Sequence, residues 1–320
     1  SGRLSSRTYP NPAENVNFTY TPTGRRETAT DSRGTTAYGY GLRDRLTSLT
    51  YPDGRKLEYA YDNNGNRTGL TATIGTQVLT TTSTYDDANR LDIVTDPAAR
   101  AYDHGYDANG NRSSLSHPNG TQTAYTYNTL NRLTNLATTH PASGVTIQSY
   151  ALTLGPPGNR TRIVEHDGTV RDYGYDDLYR LTSETVTVSG LTEYGKTFLY
   201  DNVGNRQTQT TIGAGAPGTP TAPGTVGYAY DTRDRITTEG SQAYAWDANG
   251  NLTSKDAEAT YTWDHENRLI RVAKLDGTVV EHVYDVDGNR VQTKTTPPGG
   301  PTAITNFLVD TSGGLSHVVA

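Results

Sequence analysis

The chain has 320 residues, 28 basic and 34 acidic, and a formal net charge of −6. So mild an acidic excess argues against a nucleic-acid binder driven by phosphate contacts. It contains no Cys, which excludes disulfides, thiolate zinc sites and cysteine nucleophiles together.

No apolar run approaches the ~18 residues of a membrane span, and no charged-then-apolar leader opens the chain. Met is absent as well, so Ser1 is not a translational start: either a leader has been removed or, as is expected, the chain is a piece of a longer polypeptide. Leu, Ile, Val and Phe make up only about one residue in six, whereas Tyr reaches 23 against 3 Phe and 2 Trp. Tyr, Thr and Gly in such amounts predict a half-buried sheet with many turns.

Taken from the N-terminus, an anchor, aromatic in twelve cases and Leu in one and most often Tyr-Asp, recurs thirteen times. The anchors are Tyr20, Tyr40, Tyr61, Tyr85, Tyr106, Tyr127, Leu154, Tyr175, Tyr200, Tyr230, Trp246, Trp263 and Tyr284, with a commonest spacing of 21 residues. Two kinds of unit alternate without a break. One has Gly four residues after the anchor: Tyr61, Asp62, Gly65, Asn66 and Arg67 repeat as Tyr106, Asp107, Gly110, Asn111 and Arg112. The same pattern returns as Tyr200, Asp201, Gly204, Asn205 and Arg206, and as Tyr284, Asp285, Gly288, Asn289 and Arg290, with looser copies at Tyr20, Leu154 and Trp246. The other kind has Arg five residues after the anchor, then Leu or Ile: Arg45-Leu46, Arg90-Leu91, Arg132-Leu133, Arg180-Leu181, Arg235-Ile236 and Arg268-Leu269. The structural period is therefore about 42 residues, two of the repeats that internal self-similarity defines.

Each unit reads as a β-hairpin. Asp53-Gly54 signals a tight bend and the alternation Leu57-Glu58-Tyr59-Ala60-Tyr61 a strand; Asn119-Gly120, Asp167-Gly168 and Asp276-Gly277 repeat the signal. The anchor's own Asp-x-x-Gly-Asn segment is the second bend, where Gly accepts positive φ and Asp and Asn bond the local backbone. Helix signals are almost absent. Gly213 to Gly224 and Pro297 to Pro301 are read as loops that lengthen connections without ending a domain. The expected fold is all-β: one array over 1–320, with units at 20–296 and a tail at 297–320. Its roughly 26 strands are joined in a long antiparallel sheet that natural twist would curve and coil.

Several candidate chemistries compete with plainer readings. The seven His residues are scattered, and none has metalloprotease spacing. Gly213-x-Gly215-x-x-Gly218 matches a dinucleotide fingerprint literally but lies among prolines with no strand-to-helix transition. Asp62-Asn63-Asn64-Gly65-Asn66 has the oxygen-rich look of a calcium loop, yet its Gly comes too early and no bidentate Glu follows, so turn chemistry explains it better. Periodic Arg beside periodic Asp is expected to form cross-strand pairs, and the Tyr rings either pack one face or stack on sugars. No catalytic, cofactor or metal residue is expected.

Tyr-Asp-x-x-Gly-Asn-Arg at this spacing, alternating with the Arg-Leu form, resembles the YD repeats of the rearrangement hotspot (RHS) proteins. The likeness runs from Tyr20 to about Arg290, and Asn306 to Leu315 is similar to the segment that follows such repeats in bacterial members. The resemblance implies a spiralling sheet forming part of a hollow β-shell, as in insecticidal toxin complexes, RHS effectors and teneurins. Nothing after Leu315 supplies the core region with its autoproteolytic aspartyl site, nor a toxin domain, so no catalytic residue is carried over. The function so implied is a non-enzymatic shell or scaffold segment of a secreted or surface-displayed protein. Its partners would be the rest of its own polypeptide: further repeats, the core region and toxin cargo. The alternative is an adhesive or self-assembling module, whose Tyr-rich face meets surface glycans or whose open strand edges recruit further copies.

Overall fold

The computed structural model describes residues 2–213, 223–312 and 317–319. Every one of the thirteen anchors is the last residue of a strand, from Val16–Tyr20 through Lys56–Tyr61 and Leu191–Tyr200 to Val279–Tyr284. Counting the anchor as position 1, the returning strand begins at position 7, as Arg67–Ile74 does after Tyr61 and Leu46–Thr50 after Tyr40.

The bend between them has one construction in both kinds of unit. Around Tyr61 the Gly65 N–H returns to the Asp62 carbonyl at 3.2 Å and the Asp62 N–H meets the Asn66 carbonyl at 3.0 Å. Tyr61 then pairs with Arg67 across a bulge that falls between Ala60 and Tyr61. Such a bend needs a left-handed residue at position 5. Gly65 supplies it at φ 98°. Units of the other kind place Asp44, Asn89, Asn131, Tyr179, Asp234 and Asn267 there, all with φ between 53° and 59°. Asn and Asp tolerate that region; a tyrosine at φ 59° does not rest there easily. The Asp-Gly and Asn-Gly pairs, expected as two-residue bends, use this wider construction too: Gly54 N–H bonds Tyr51 O at 3.0 Å and Tyr51 N–H bonds Arg55 O at 2.8 Å.

Consecutive strands pair antiparallel into one 28-stranded sheet that is not closed. The hairpins carry it from Val16 to Thr296, and Ser6–Arg7 and Ala303–Asn306 each add a strand at one end, which is why it exceeds the roughly 26 expected. A separate pair joins Val309–Asp310 to His317–Val318, and among the described residues the helical content is a 3-10 turn at Pro12–Glu14 capped by the Asn11 side chain.

By contacts the chain falls into two compact units, one of Ser1–Arg90, Val94–Ala99 and Tyr244–Ala320, the other of Leu91–Ile93 and Arg100–Ala243. The core of the first gathers Leu49, Tyr51, Leu57, Tyr59 and Ala72 from alternate positions of neighbouring strands and closes over them with Leu308 from the tail. Leu57 and Leu308 are fully buried, each stabilising by roughly 1.5–3 kcal/mol. The opposite face carries paired threonines, such as Thr19 with Thr28 at 2.7 Å and Thr71 with Thr80 at 3.1 Å. In the second unit Val186, Tyr194 and Phe198 are buried alongside Thr121, Thr123, Thr138, Thr169 and Thr211, and Thr123 and Thr138 satisfy each other at 2.9 Å. Threonine hydroxyls that pair across strands let a sheet poor in aliphatics bury polar residues without leaving them unbonded.

Candidate functional site

The repeated residues converge on a row of bends, and each side chain in it has a task set by its position. Asp62 Oδ1 accepts the Gly65 and Asn66 backbone N–H groups at 2.8 and 2.9 Å, while Oδ2 accepts Asn66 Nδ2 at 2.8 Å. Asp107 with Asn111, Asp201 with Asn205 and Asp285 with Asn289 do the same. These donors hold the ionised form. Asn111 keeps Asp107 below the usual carboxylate range, and at Asp62 and Asp201 partial desolvation pulls upward but is outweighed by Asn66 and Asn205. Asp285 is the exception among the Gly-bearing units: it is buried, and burial pushes its pKa up despite the same bonds. Both oxygens of Asp62 are thus engaged by donors of its own turn.

The anchors link one unit to the one before it. Tyr61 Oη donates to Leu46 O at 2.8 Å, Tyr85 to Arg67 O at 2.9 Å, Tyr106 to Leu91 O at 2.8 Å, Tyr200 to Leu181 O at 2.7 Å and Tyr284 to Leu269 O at 2.8 Å. The acceptor is always position 7 of the preceding unit. Trp263 keeps the donor with its indole N–H on Leu252 O at 2.7 Å. A half-buried ring that must also donate explains why Tyr outnumbers Phe by 23 to 3.

Position 6 explains why two kinds of unit alternate. In four of the six Arg-bearing units this arginine bonds the Asp of its own bend, as Arg90 does with Asp86, Arg180 with Asp176, Arg235 with Asp231 and Arg268 with Asp264. Where a position-2 Asp is present the expected cross-strand ladder is replaced by pairs inside the bend, because the turn brings positions 2 and 6 to the same side; Arg162 and Asp172, directly opposed, do pair across strands. Arg235 draws Asp231 down to about 2. The same guanidinium reaches forward. Arg45, Arg180 and Arg268 lie over the rings of Tyr61, Tyr200 and Tyr284 at 4.8, 4.9 and 5.3 Å and donate to the carbonyls of Asp62, Asp201 and Asp285. The reverse link uses amides. Asn66 Nδ2 donates to Asn89 Oδ1 at 2.9 Å, Asn111 to Asn131 at 2.9 Å, Asn205 to Asp234 at 2.9 Å and Asn251 to Asn267 at 2.8 Å. Asn and Asp at the left-handed position 5 thus serve twice, as a tolerated backbone and as an acceptor. Tyr179 carries neither the tolerated backbone fit nor the amide or carboxylate acceptor.

In the first unit a late segment docks on the early strands. Tyr51 Oη donates to Val309 O, Tyr59 Oη to Asp310 Oδ1 at 3.0 Å, and Ser312 closes on Asp310 Oδ1 through its N–H at 2.9 Å and its hydroxyl at 2.8 Å. Arg67 meets Asp310 Oδ2 and the Ser312 hydroxyl. Asp310 is only 1% exposed. Burial alone would raise its pKa, but the Ser312 donors and Arg67 hold it below the usual range. Nearby, Arg26 bonds both oxygens of Asp287 at 2.7 and 2.8 Å, and burial pushes the Tyr38 phenol up to about 12.

Side chains of the repeat join each bend to its neighbours, and the sequence matches the family described as Teneurin YD-shell over residues 1–150 and 147–320. The chain belongs to this YD-shell family. Its repeats are similar to part of the tRNA nuclease WapA of Bacillus subtilis (strain 168), 36% identical over 97 residues, which is 30% of this chain and 4% of that protein. The tRNA3(Ser)-specific nuclease WapA of Bacillus spizizenii is 35% identical over 97 residues, again 30% of this chain and 4% of the relative. Among solved structures, the fold is similar to TcdB2-TccC3-TEV, with a TM-score of 0.57 and 17% identity over 92% of this chain and 20% of the other. It is also similar to the Photorhabdus luminescens Tc holotoxin pore, with a TM-score of 0.52 and 17% identity over 89% of this chain and 20% of the other. The YD-shell chain thus spans about a fifth of the matched solved chains and a small fraction of the curated relatives.

Within the YD-shell array, the sequence singles out positions 1, 2, 5, 6 and 7 of the Gly-bearing units but not position 5 of the others, where Asn89, Asn131 and Asn267 stand where Gly stands elsewhere. Aligning the two kinds of unit on their anchors would have exposed them. Of the dinucleotide-like glycines, Gly215 and Gly218 lie outside the described residues, and Gly213 ends the strand Arg206–Gly213. Among the described residues no group of three or more His, Asp and Glu is placed to hold a metal ion, and no helix is long and apolar enough to cross a membrane.

Proposed function

We propose that this YD-shell chain is a length of structural wall in a secreted or surface-displayed bacterial RHS-type protein, enclosing or shielding cargo carried by the same polypeptide. The observation that carries this reading is the unbroken linkage of bend to bend. Tyrosine hydroxyls, forward-reaching arginines and Asn–Asn amide bonds use the repeated residues to hold neighbours, so the array is built for continuity. The match to two nucleases by name covers 30% of this chain and 4% of each of them; we infer that any catalytic domain of such a polypeptide lies elsewhere. The adhesive reading gains little support from the anchors, whose hydroxyls are bonded to backbone and several of whose faces are capped by arginine.

The test uses the parent polypeptide. Its culture supernatant and cell fractions are probed for the protein, and the segment beyond the repeats is assayed for cleavage by trypsin with the array folded and after the array is removed. Strong protection only in the presence of the folded array is expected. Cleavage at the same rate in both, or retention of the protein in the cytoplasm, would overturn the proposal.

A further inference from the structure

In four of the seven Gly-bearing units, position 7 is an arginine set against the aromatic two residues before its own anchor, before the next anchor, or both. Arg26 lies over Phe18 at 4.9 Å and Tyr38 at 5.6 Å, and Arg67 over Tyr59 at 6.0 Å. Arg112 lies over Tyr125 at 5.9 Å, and Arg206 over Phe198 at 5.7 Å and Tyr228 at 4.3 Å. A neighbouring ring favours the cation and takes none of its N–H groups, which remain able to meet a carboxylate.

Two of these cradles hold a carboxylate from far along the chain. Arg26 holds Asp287, 261 residues away, and Arg67 holds Asp310, 243 residues away. In both, an apolar neighbour of the acid is buried beside the cradle: Val286 packs with Phe18, and Leu308 with Tyr59. Arg112 and Arg206 belong to the second compact unit, and among the described residues neither forms an ion pair; Arg206 bonds the Gln209 side-chain oxygen at 3.3 Å.

We propose that Arg112 with Tyr125, and Arg206 with Phe198 and Tyr228, are binding sites for the Asp or Glu side chains of an extended polypeptide segment in which an apolar residue adjoins the acid. The ligand class is read from the two filled cradles of the same molecule. This deepens the shell reading by naming the chemistry with which the wall holds a guest, and it rests on that reading only for the guest's origin.

The probe is a fluorescent peptide with the sequence of residues 306–312, alongside its Asp310→Asn counterpart, titrated against the full 320-residue chain by fluorescence anisotropy. Losing one charge-assisted bond predicts about tenfold weaker binding of the Asn peptide, and a similar loss of the Asp peptide on the Arg112→Gln/Arg206→Gln variant. The two losses should not add, since both remove one interaction. Equal affinity for the two peptides, an unchanged affinity in the variant, additive losses, or no saturable binding at all would each overturn the proposal. Should the Gln variant fail to fold, Arg112→Lys/Arg206→Lys keeps the charge and removes the fork, and an intermediate affinity is expected; wild-type affinity there refutes the cradle. Protease protection in the parent polypeptide is a separate measurement, so the shell reading can survive failure of this one.

Discussion

Replacing Asp310 by Asn isolates the charge that fastens the tail. Oδ1 would persist as the amide oxygen, keeping Tyr59 and both Ser312 bonds, while Oδ2 would become an NH2 group facing the Arg67 guanidinium. A hydrogen bond to a charged group contributes about 1.5–3 kcal/mol, and Arg67, 34% exposed and still bonded to Ser312, regains part of that from water. The expected loss is about 2 kcal/mol, which at 1.36 kcal/mol per decade is about thirtyfold in the opening equilibrium of the tail. Hydrogen exchange reads this directly through the Phe307 N–H, bonded to Val291 O, and the Val319 N–H, bonded to Leu308 O. Both should exchange about thirtyfold faster in the variant, with amides of 100–243 unchanged. The sign with pH follows from a depressed folded pKa: the contribution is complete above the unfolded carboxylate value and is lost as pH falls through the folded one, so protection of these amides should collapse in acid in the wild type and not in Asp310→Asn. Protection within threefold of the wild type at neutral pH would mean that Leu308 and the Tyr51 bond hold the tail unaided, and the ionic account would be wrong.

Tyr179 sits 61% exposed at φ 59°. Tyr179→Asn removes the left-handed strain and is expected to stabilise by about 1 kcal/mol in chemical denaturation; no gain would refute the assignment of strain. Asn131 accepts from Asn109 at 3.1 Å and from Asn111 at 2.9 Å at φ 56°. Asn131→Ala should cost about 2 kcal/mol and Asn131→Gly about 1, because Gly loses the acceptor but not the backbone fit, and equal costs would show the side chain to be idle. The turn carboxylates Asp62, Asp86, Asp107, Asp176, Asp201, Asp231 and Asp247 all titrate low, so stability should be level above their unfolded values and fall as acid reaches the folded ones. Asp285, with its raised pKa, works in the opposite sense, and Asp285→Asn should steepen the acid loss measured by thermal melts from pH 7 to pH 2.

The bends were legible because their chemistry is local. Tyr61 to Arg67 specify a strand end, a capped turn and a left-handed residue within seven positions, and repetition made the reading secure. The alternation of units was visible as well, but its cause was not. That Arg45 reaches Tyr61 and Asn66 reaches Asn89 depends on which side of the sheet each bend faces, and the Arg–Asp pairs fell inside bends because a turn of this width sets positions 2 and 6 side by side.

Sequence alone determined an all-β array with anchors, turns and period, since strand alternation and turn propensity act over a few residues and need no distant partner. Only the tertiary structure decided what becomes of residues whose partners are remote. Asp287 and Asp310 read as one more repeat acid and a tail residue until folding carried them more than 240 positions back along the chain to Arg26 and Arg67. Burial then separated chemically identical carboxylates, raising Asp285 while its copies at Asp62 and Asp107 stayed low, because desolvation is a property of what covers a group and not of its sequence neighbours.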